Sequence, residues 1–312
     1  MPFVFNDVQN LWYDELVAEY GEELQGIREN DLKGRQFGIS SVITGMFATD
    51  FILSELGHIP VTNSDIYSHK DDETTAHINR FNLFLDSYLM QDQGAGIEDM
   101  ENTEARQAFR RAFLAIDNGG QIKSKKRGAE YHAQTASAKV SGRGGTKQNI
   151  HWSEVAFYPN TEIMNAKTLV TGAEKQVPIG YGKIFRETTG NTMVDFFAKE
   201  YQDGKAGRGM FKSRFLAWYL HKEYALDAAH TWEPPLYYEK LLSDGRATKD
   251  QCFWHFQTTK ELSDKYELRE YPTYDTEAFI LGGDPYFDKD AMLQYLNNII
   301  KPIKEVEYAT AL

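Results

Sequence analysis

The sequence predicts an α/β fold in which a mostly parallel central sheet is covered by helices, with a small, mainly helical lid subdomain beside it. Three observations carry that prediction. Strand candidates at residues 149–152, 182–186 and 211–218 alternate with helical stretches, the pattern of crossover connections and parallel pairing. A glycine-containing turn at 34–38 leads directly into a helical run at 40–56. Past His221 the alternation stops: Trp232-Glu233-Pro234-Pro235 punctuates the chain, and charged helical sequence covers 237–268. The expected division is a core over residues 1–220 and a lid or linker subdomain over 221–312.

Taken in order, Val8, Leu11, Trp12, Leu16 and Tyr20 recur at helical spacing and predict a helix within 5–24, packed on the core. Val42, Ile43, Met46, Phe47, Phe51 and Leu53 do the same for 40–56. Residues 58–62 read as a short strand, and Ala76, Ile78, Phe81, Leu83, Phe84 and Leu89 as a long helix. Another helix is expected over 103–116, short strands or a hairpin within 121–141, and a loop at Gly142-Arg143-Gly144-Gly145.

A chain of 312 residues that is 41% hydrophobic can bury a full core. No apolar run is expected to span a bilayer and no secretory pattern opens the chain, so a soluble, intracellular protein with no membrane partner is expected. The single cysteine, Cys252, excludes an intramolecular disulfide and a cysteine-clustered metal site. A net charge of −12 argues against a surface that coats nucleic acid uniformly. Locally the balance reverses: between residues 118 and 147 stand Lys123, Lys125, Lys126, Arg127, Lys139, Arg143 and Lys147 against Glu130 alone. An ordinary solvated loop and a DNA-facing stretch both fit this run.

Three short segments carry chemistry. Residues 32–41 resemble a phosphate-binding loop, G-x-x-x-x-G-K-[ST], in which backbone N–H groups cradle phosphates and the hydroxyl holds Mg²⁺. Gly38 and Ser40 keep their places, Ile39 replaces the usual lysine, and Lys33 stands where the first glycine would be. A plain glycine turn with solvated Lys33 and Arg35 fits the same letters. Asn149-Ile150-His151-Trp152-Ser153-Glu154 is a short apolar strand ending in a carboxylate, which at the carboxyl edge of an open sheet can orient or deprotonate water. Helix capping by Ser153 with an exposed Glu154 fits it too. The stretch 183–191 is a strand ending in Thr188, Thr189, Gly190 and Asn191, either a phosphate-sensing element or a capped strand-to-helix turn.

In this order the segments resemble the ATPase portion of a large terminase subunit, the DNA-packaging motor of tailed bacteriophages. The likeness rests on the 33–40 loop as a deviant Walker A, Ile150-His151-Trp152-Ser153-Glu154-Val155-Ala156-Phe157 as Walker B, and Glu187-Thr188-Thr189-Gly190-Asn191 as the coupling motif. Residues 215–224 and 270–279 add to it, so it covers about residues 3–290. The resemblance implies an additional-strand P-loop NTPase fold. It implies that Gln9 reads adenine, with a surface glutamine on an amphipathic helix as the alternative. It places Lys33, Gly34, Arg35, Gln36, Phe37, Gly38, Ile39, Ser40 and Ser41 around ATP, with Lys33 and Arg35 neutralising phosphate and Ser40 ligating Mg²⁺. Glu154 would activate water, and Thr188, Thr189 and Asn191 would couple hydrolysis to DNA movement. Arg143 matches an arginine finger offered to a neighbouring subunit, or a DNA phosphate contact.

Two departures stand out: Ile39 for the lysine, and Ser153 for the aspartate that precedes the glutamate, which leaves Mg²⁺ a water-mediated serine contact. Asp284 and Asp288 read as part of a turn, so no nuclease activity is expected, and the family's nuclease domain is expected to be absent from this chain. The resemblance implies double-stranded DNA, a portal protein and a small terminase subunit as partners, and a homo-oligomeric ring on the portal from a chain that is monomeric alone. It implies action in the cytoplasm of an infected bacterial host, outside the mature virion. A helicase-like or repair ATPase, and a non-hydrolysing DNA-binding or assembly module with a degraded loop, remain the alternatives.

Overall fold

A computed structural model describes residues 3–92, 103–136, 145–161, 165–259 and 269–279. After α1 (Asp7–Tyr20) come β1 (Arg28–Lys33), α2 (Ile39–Leu56), β2 (Asn63–Ser68), α3 (Asp71–Asp92) and α4 (Thr103–Phe113). The edge strands β3 (Leu114–Asp117), β4 (Gln121–Ser124) and β5 (Glu130–Thr135) precede β6 (Asn149–Ser153), α5 (Ala166–Glu174), β7 (Lys183–Thr188), α6 (Phe196–Lys205) and β8 (Lys212–Leu216). Helices α7 (Glu239–Ser243) and α8 (Lys249–Thr259) follow.

One sheet contains all these strands in the order β3-β4-β5-β2-β6-β7-β1-β8. The pairings from β5 through β8 are parallel, and β3-β4-β5 forms an antiparallel edge. Strand β7 lies between β1, which feeds the 34–38 turn, and β6, which leads into Glu154. That inserted strand defines the additional-strand arrangement. Every residue of β1, β6 and β7 is buried, as parallel strands covered on both faces must be.

Strand β1 is nonetheless Arg-Glu-Asn-Asp-Leu-Lys, with one apolar residue. It is tolerated because its polar groups find partners. Arg28 donates to the carbonyls of Ile27, Gly182 and Pro178, and Trp12 Nε1 donates to Asp31 Oδ1 at 2.9 Å. Glu29 pairs with Arg214, and the Asn30 amide donates to the Glu200 carbonyl.

Three apolar clusters result. One joins α1, α2 and α3 to one face of the sheet through Trp12, Phe47, Phe51 and Phe81. A second packs α5 and α6 on the other face around Trp152 and Tyr201. A third, small and aromatic, joins Trp218 to Tyr238, Leu241, Cys252 and Tyr271 from the region expected to form a lid.

Three local expectations are corrected. Residues 58–62 are not a strand: Pro60 has no N–H for a ladder, and pairing begins only at Asn63. The helix from Thr103 stops at Phe113, because 114–117 extends as β3 beside β4. And α2 is, by length and composition, apolar enough to cross a membrane. It is apolar because it packs between the sheet and α3, with ten of its residues buried.

Candidate active site

The turn between β1 and α2 is shaped from behind. Asn6 caps α1 by accepting from Gln9 N–H, while Gln9 Oε1 accepts from Asn6 N–H, a reciprocal capping box. The remaining amide hydrogens of both side chains reach the turn: Asn6 Nδ2 donates to Phe37 O at 3.2 Å and Gln9 Nε2 to Gly38 O at 2.9 Å. Tyr224 Oη donates to Arg35 O at 2.6 Å. In a trans peptide C=O and N–H point oppositely, so tying these three carbonyls turns the N–H groups of Gln36, Gly38 and Ile39 the other way. Among the described residues the N–H groups of 36–40 have no protein acceptor. Such a row at the start of an 18-residue helix is what a phosphate requires.

Two glycines make the turn possible. A Cβ on Gly34 would stand 2.8 Å from the buried Phe37 ring, and Gly38 has φ 73° with the Gln9 amide 2.4 Å from where a Cβ would be. Ile39, in the slot of the usual lysine, is wholly buried in the α2 face of the core. Ser41 follows in the first turn of α2, its N–H bonded to Gly38 O.

Lys33, the last residue of β1, reaches across β7. Its Nζ is 3.0 Å from Glu154 Oε1 and 3.1 Å from Glu187 Oε2. Burial alone pushes the Lys33 ammonium down, but the two carboxylates more than offset it and hold it above the usual lysine range. Glu187 is fully buried and is the hub of the site. Its Oε1 accepts from Ser40 Oγ at 2.5 Å and Ser153 Oγ at 3.1 Å, with His151 Nε2 at 3.2 Å. Burial pushes the Glu187 carboxyl up; Lys33 and His151 outweigh it and hold the group well below the usual carboxylate range. Burial holds His151 down, so its neutral ring donates through Nε2.

Glu154 follows β6 directly with φ 52° and ψ 46°, a left-handed conformation that costs a non-glycine residue roughly 1–2 kcal/mol. In this conformation its Oε2 accepts from Thr189 N–H at 3.0 Å, Thr188 Oγ1 at 3.2 Å and Thr189 Oγ1 at 3.3 Å. The capping alternative for this segment fails. Glu154 heads the 3₁₀ turn Val155–Phe157 without a side-chain cap bond, and the Ser153 hydroxyl bonds Glu187. Asn191 Nδ2 donates to Ala156 O at 2.9 Å, and Asn191 Oδ1 accepts from Arg269 Nη1 at 3.4 Å. The neighbouring Glu270 pairs with Arg35 at 3.2 Å, and Arg35 N–H donates to Glu270 O. A continuous path therefore links Glu154, the Thr-Thr-Gly-Asn turn, the 269–279 segment and the loop.

The structure thus brings together Lys33, Ser40, Ser153, Glu154, Thr188 and Thr189. Gln9 is buried, not a surface glutamine, and its amide is engaged at both ends with backbone. Arg35 is directed to the lid. Lys123 pairs with Glu130, Lys125 donates to Arg111 O, and the N–H groups of Lys126 and Arg127 bond Glu55. That basic turn precedes β5, at the opposite end of the parallel strands from the site. Arg143, Lys139, Asp284 and Asp288 lie outside the described residues.

Sequence reasoning missed Glu187 and His151. The available signal was a glutamate inside a fully buried strand, which needs partners. No group of three or more His, Cys, Asp or Glu suited to a metal ion occurs among the described residues. A magnesium ion that keeps waters and phosphate oxygens needs only one or two protein oxygens, and Ser40 Oγ could supply one. A cleft of 460 Å³ walled by Asp50, Lys183 and Tyr13 lies at the amino ends of β6 and β7, away from these groups.

Strand order and loop define the class of fold: the additional-strand P-loop NTPase architecture. Within it, the architecture is that of the ATPase domains of phage large terminases. A mutant of the Thermus phage P74-26 large terminase ATPase domain superposes with a TM-score of 0.50 at 13% identity, over 90% of this chain and 95% of that one. The HK97 bacteriophage large terminase gives 0.52 at 11%, covering 88% of this chain and 51% of its own length. The large terminase of a thermophilic bacteriophage gives 0.52 at 12%, covering 92% and 57%. At these identities the likeness is one of fold. No family model matches the sequence, and no curated protein does.

Proposed function

We propose that the chain is the ATPase motor of viral genome packaging, hydrolysing Mg²⁺-ATP to translocate double-stranded DNA. One observation carries this reading: Ser40 and Glu154, far apart in sequence, meet through Lys33 and Glu187 at the carboxyl ends of β1, β7 and β6, beside five N–H groups without an acceptor among the described residues.

In this mechanism the 36–40 amides bind the β- and γ-phosphates, and Ser40 Oγ would hold the metal, which would supply charge to neutralise the phosphate oxygens. As phosphate draws Lys33 away, Glu154 Oε1 is freed to accept a proton from the attacking water or to orient it. Thr188 and Thr189, bonded to the other oxygen of Glu154, sense the change. Asn191 passes it through Arg269 and Glu270 to the lid. Arg143 acts as a finger between subunits or as a DNA contact, and the turn at Lys123, Lys125, Lys126 and Arg127 is a second candidate DNA contact. The ring on a portal, the portal protein, the small terminase subunit and action in the host cytoplasm belong to the same proposal.

The test is steady-state ATP hydrolysis by wild type and Glu154→Ala, with and without double-stranded DNA. The substitution is expected to lower turnover at least ~10²-fold with nucleotide binding largely retained. Unchanged turnover removes Glu154 from the mechanism, and no turnover by wild type under any DNA condition sinks the motor reading. Strand separation in place of translocation would indicate a helicase.

A further inference from the structure

We infer that Glu187 on β7 takes over the metal-holding carboxylate that β6 lacks at Ser153. The inference rests on the ATPase reading above and deepens it.

The argument is one of register. Ser153 and Glu187 are Cα partners across β6 and β7, and Asp31 is the partner of Glu187 across β7 and β1. Paired positions in neighbouring strands point to the same face, about 4.8 Å apart. A carboxylate moved one strand sideways therefore stays over the same ground, and glutamate is one methylene longer than aspartate. The side chains bear this out: Glu187 Oε1 sits 2.5 Å from the P-loop hydroxyl of Ser40 and 3.1 Å from Ser153 Oγ. An octahedral magnesium with oxygens near 2.1 Å places adjacent ligands about 3 Å apart. The Ser40 and Glu187 oxygens need separate by only a few tenths of an ångström to become two such ligands, directly or through one water.

The surroundings fit this use. His151 Nε2 fixes Glu187 Oε1 from below, the kind of outer contact that orients a metal-binding carboxylate. Glu187 Oε2 faces Lys33, which phosphate would draw away. The buried carboxylate that touches Ser40 is thus held in place by groups other than the serine. This also explains how Ser153 is tolerated: its hydroxyl serves as a donor to the relocated carboxylate.

The experiment measures Mn²⁺ binding by electron paramagnetic resonance to the full chain in complex with ADP, alongside ADP affinity in EDTA. Wild type, Glu187→Gln, Ser153→Ala and the double variant Ser153→Asp/Glu187→Gln are compared. Glu187→Gln is expected to weaken Mn²⁺ about 10- to 100-fold, while metal-free ADP affinity stays within about threefold, under 1 kcal/mol. Ser153→Ala is expected to lose less. The double variant, which returns a carboxylate to β6 and restores a partner near Lys33, is expected to recover Mn²⁺ binding; it also serves if Glu187→Gln alone does not fold. Wild-type Mn²⁺ affinity in Glu187→Gln overturns the assignment, and so does an equal loss of metal-free and metal-bound ADP, which marks a structural role. A wild-type chain that binds no ADP at all overturns the ATPase reading itself.

Discussion

Lys33 and Glu154, at the ends of two strands separated by a third, form an ion pair of 3.0 Å that spans β7. In the proposed mechanism this pair couples the loop to Glu154 before any substrate arrives, because whatever attracts the ammonium uncovers the carboxylate.

Lys33→Met is therefore expected to destabilise the fold by about 3–5 kcal/mol, since it leaves the buried Glu187 charge without its cation. Adding Glu187→Gln to that variant should recover part of the loss. Urea unfolding of the two single variants and the double variant gives the coupling, and a Lys33→Met protein as stable as wild type would refute the ion-pair account.

Gln9 offers a sharper distinction. If it shapes the loop, Gln9→Ala weakens ADP and tripolyphosphate alike and costs about 1 kcal/mol of stability through the lost bond to Gly38 O. If it reads adenine, only ADP is affected. Calorimetric titration with both ligands separates the two.

Gly190 lies where the Thr-Thr-Gly-Asn turn meets the 269–279 segment. A Cβ there would stand 1.9 Å from Ala278 O, so Gly190→Ala must push that segment away. A cost of about 1–3 kcal/mol is expected, with faster amide exchange in 269–279 and little change in α2. Unaltered exchange would show that the contact is dispensable.

Acid should loosen the lid. His255 Nε2–H donates to Tyr271 O and Nδ1 accepts from Tyr238 Oη, and burial lowers this imidazole from 6.5 to about 4. The unfolded chain takes up the proton near pH 6.5 and the folded chain only near 4. The contribution of the neutral ring is thus whole above pH 6.5 and is lost as pH falls toward 4, about 3 kcal/mol in all. Denaturation between pH 7 and 4 should show this slope in wild type and a flatter one in His255→Gln.

Much of the architecture was legible because apolar spacing announces helices: α1, α2 and α3 appear where Trp12, Phe47 and Phe81 recur on one face. Strand β1 was not, because Arg28, Glu29, Asn30, Asp31 and Lys33 are buried by pairing with groups that only the fold supplies. The loop and Glu154 could be found from order along the chain. Glu187 could not be given a role that way, since its importance lies in facing Ser153 and Ser40 across strand register and a helix start. The links from Tyr224 and Glu270 to Arg35 were equally hidden, being long-range contacts without local periodicity.

The Tyr224 ring, whose hydroxyl grips Arg35 O, lies flat on Trp254 with centroids 4.2 Å apart and planes 11° from parallel. Any shift of the loop is thereby delivered to an indole. The protein is thus expected to carry its own optical gauge, with the ultraviolet emission of Trp254 changing as the site fills and that change absent from a Trp254→Phe variant.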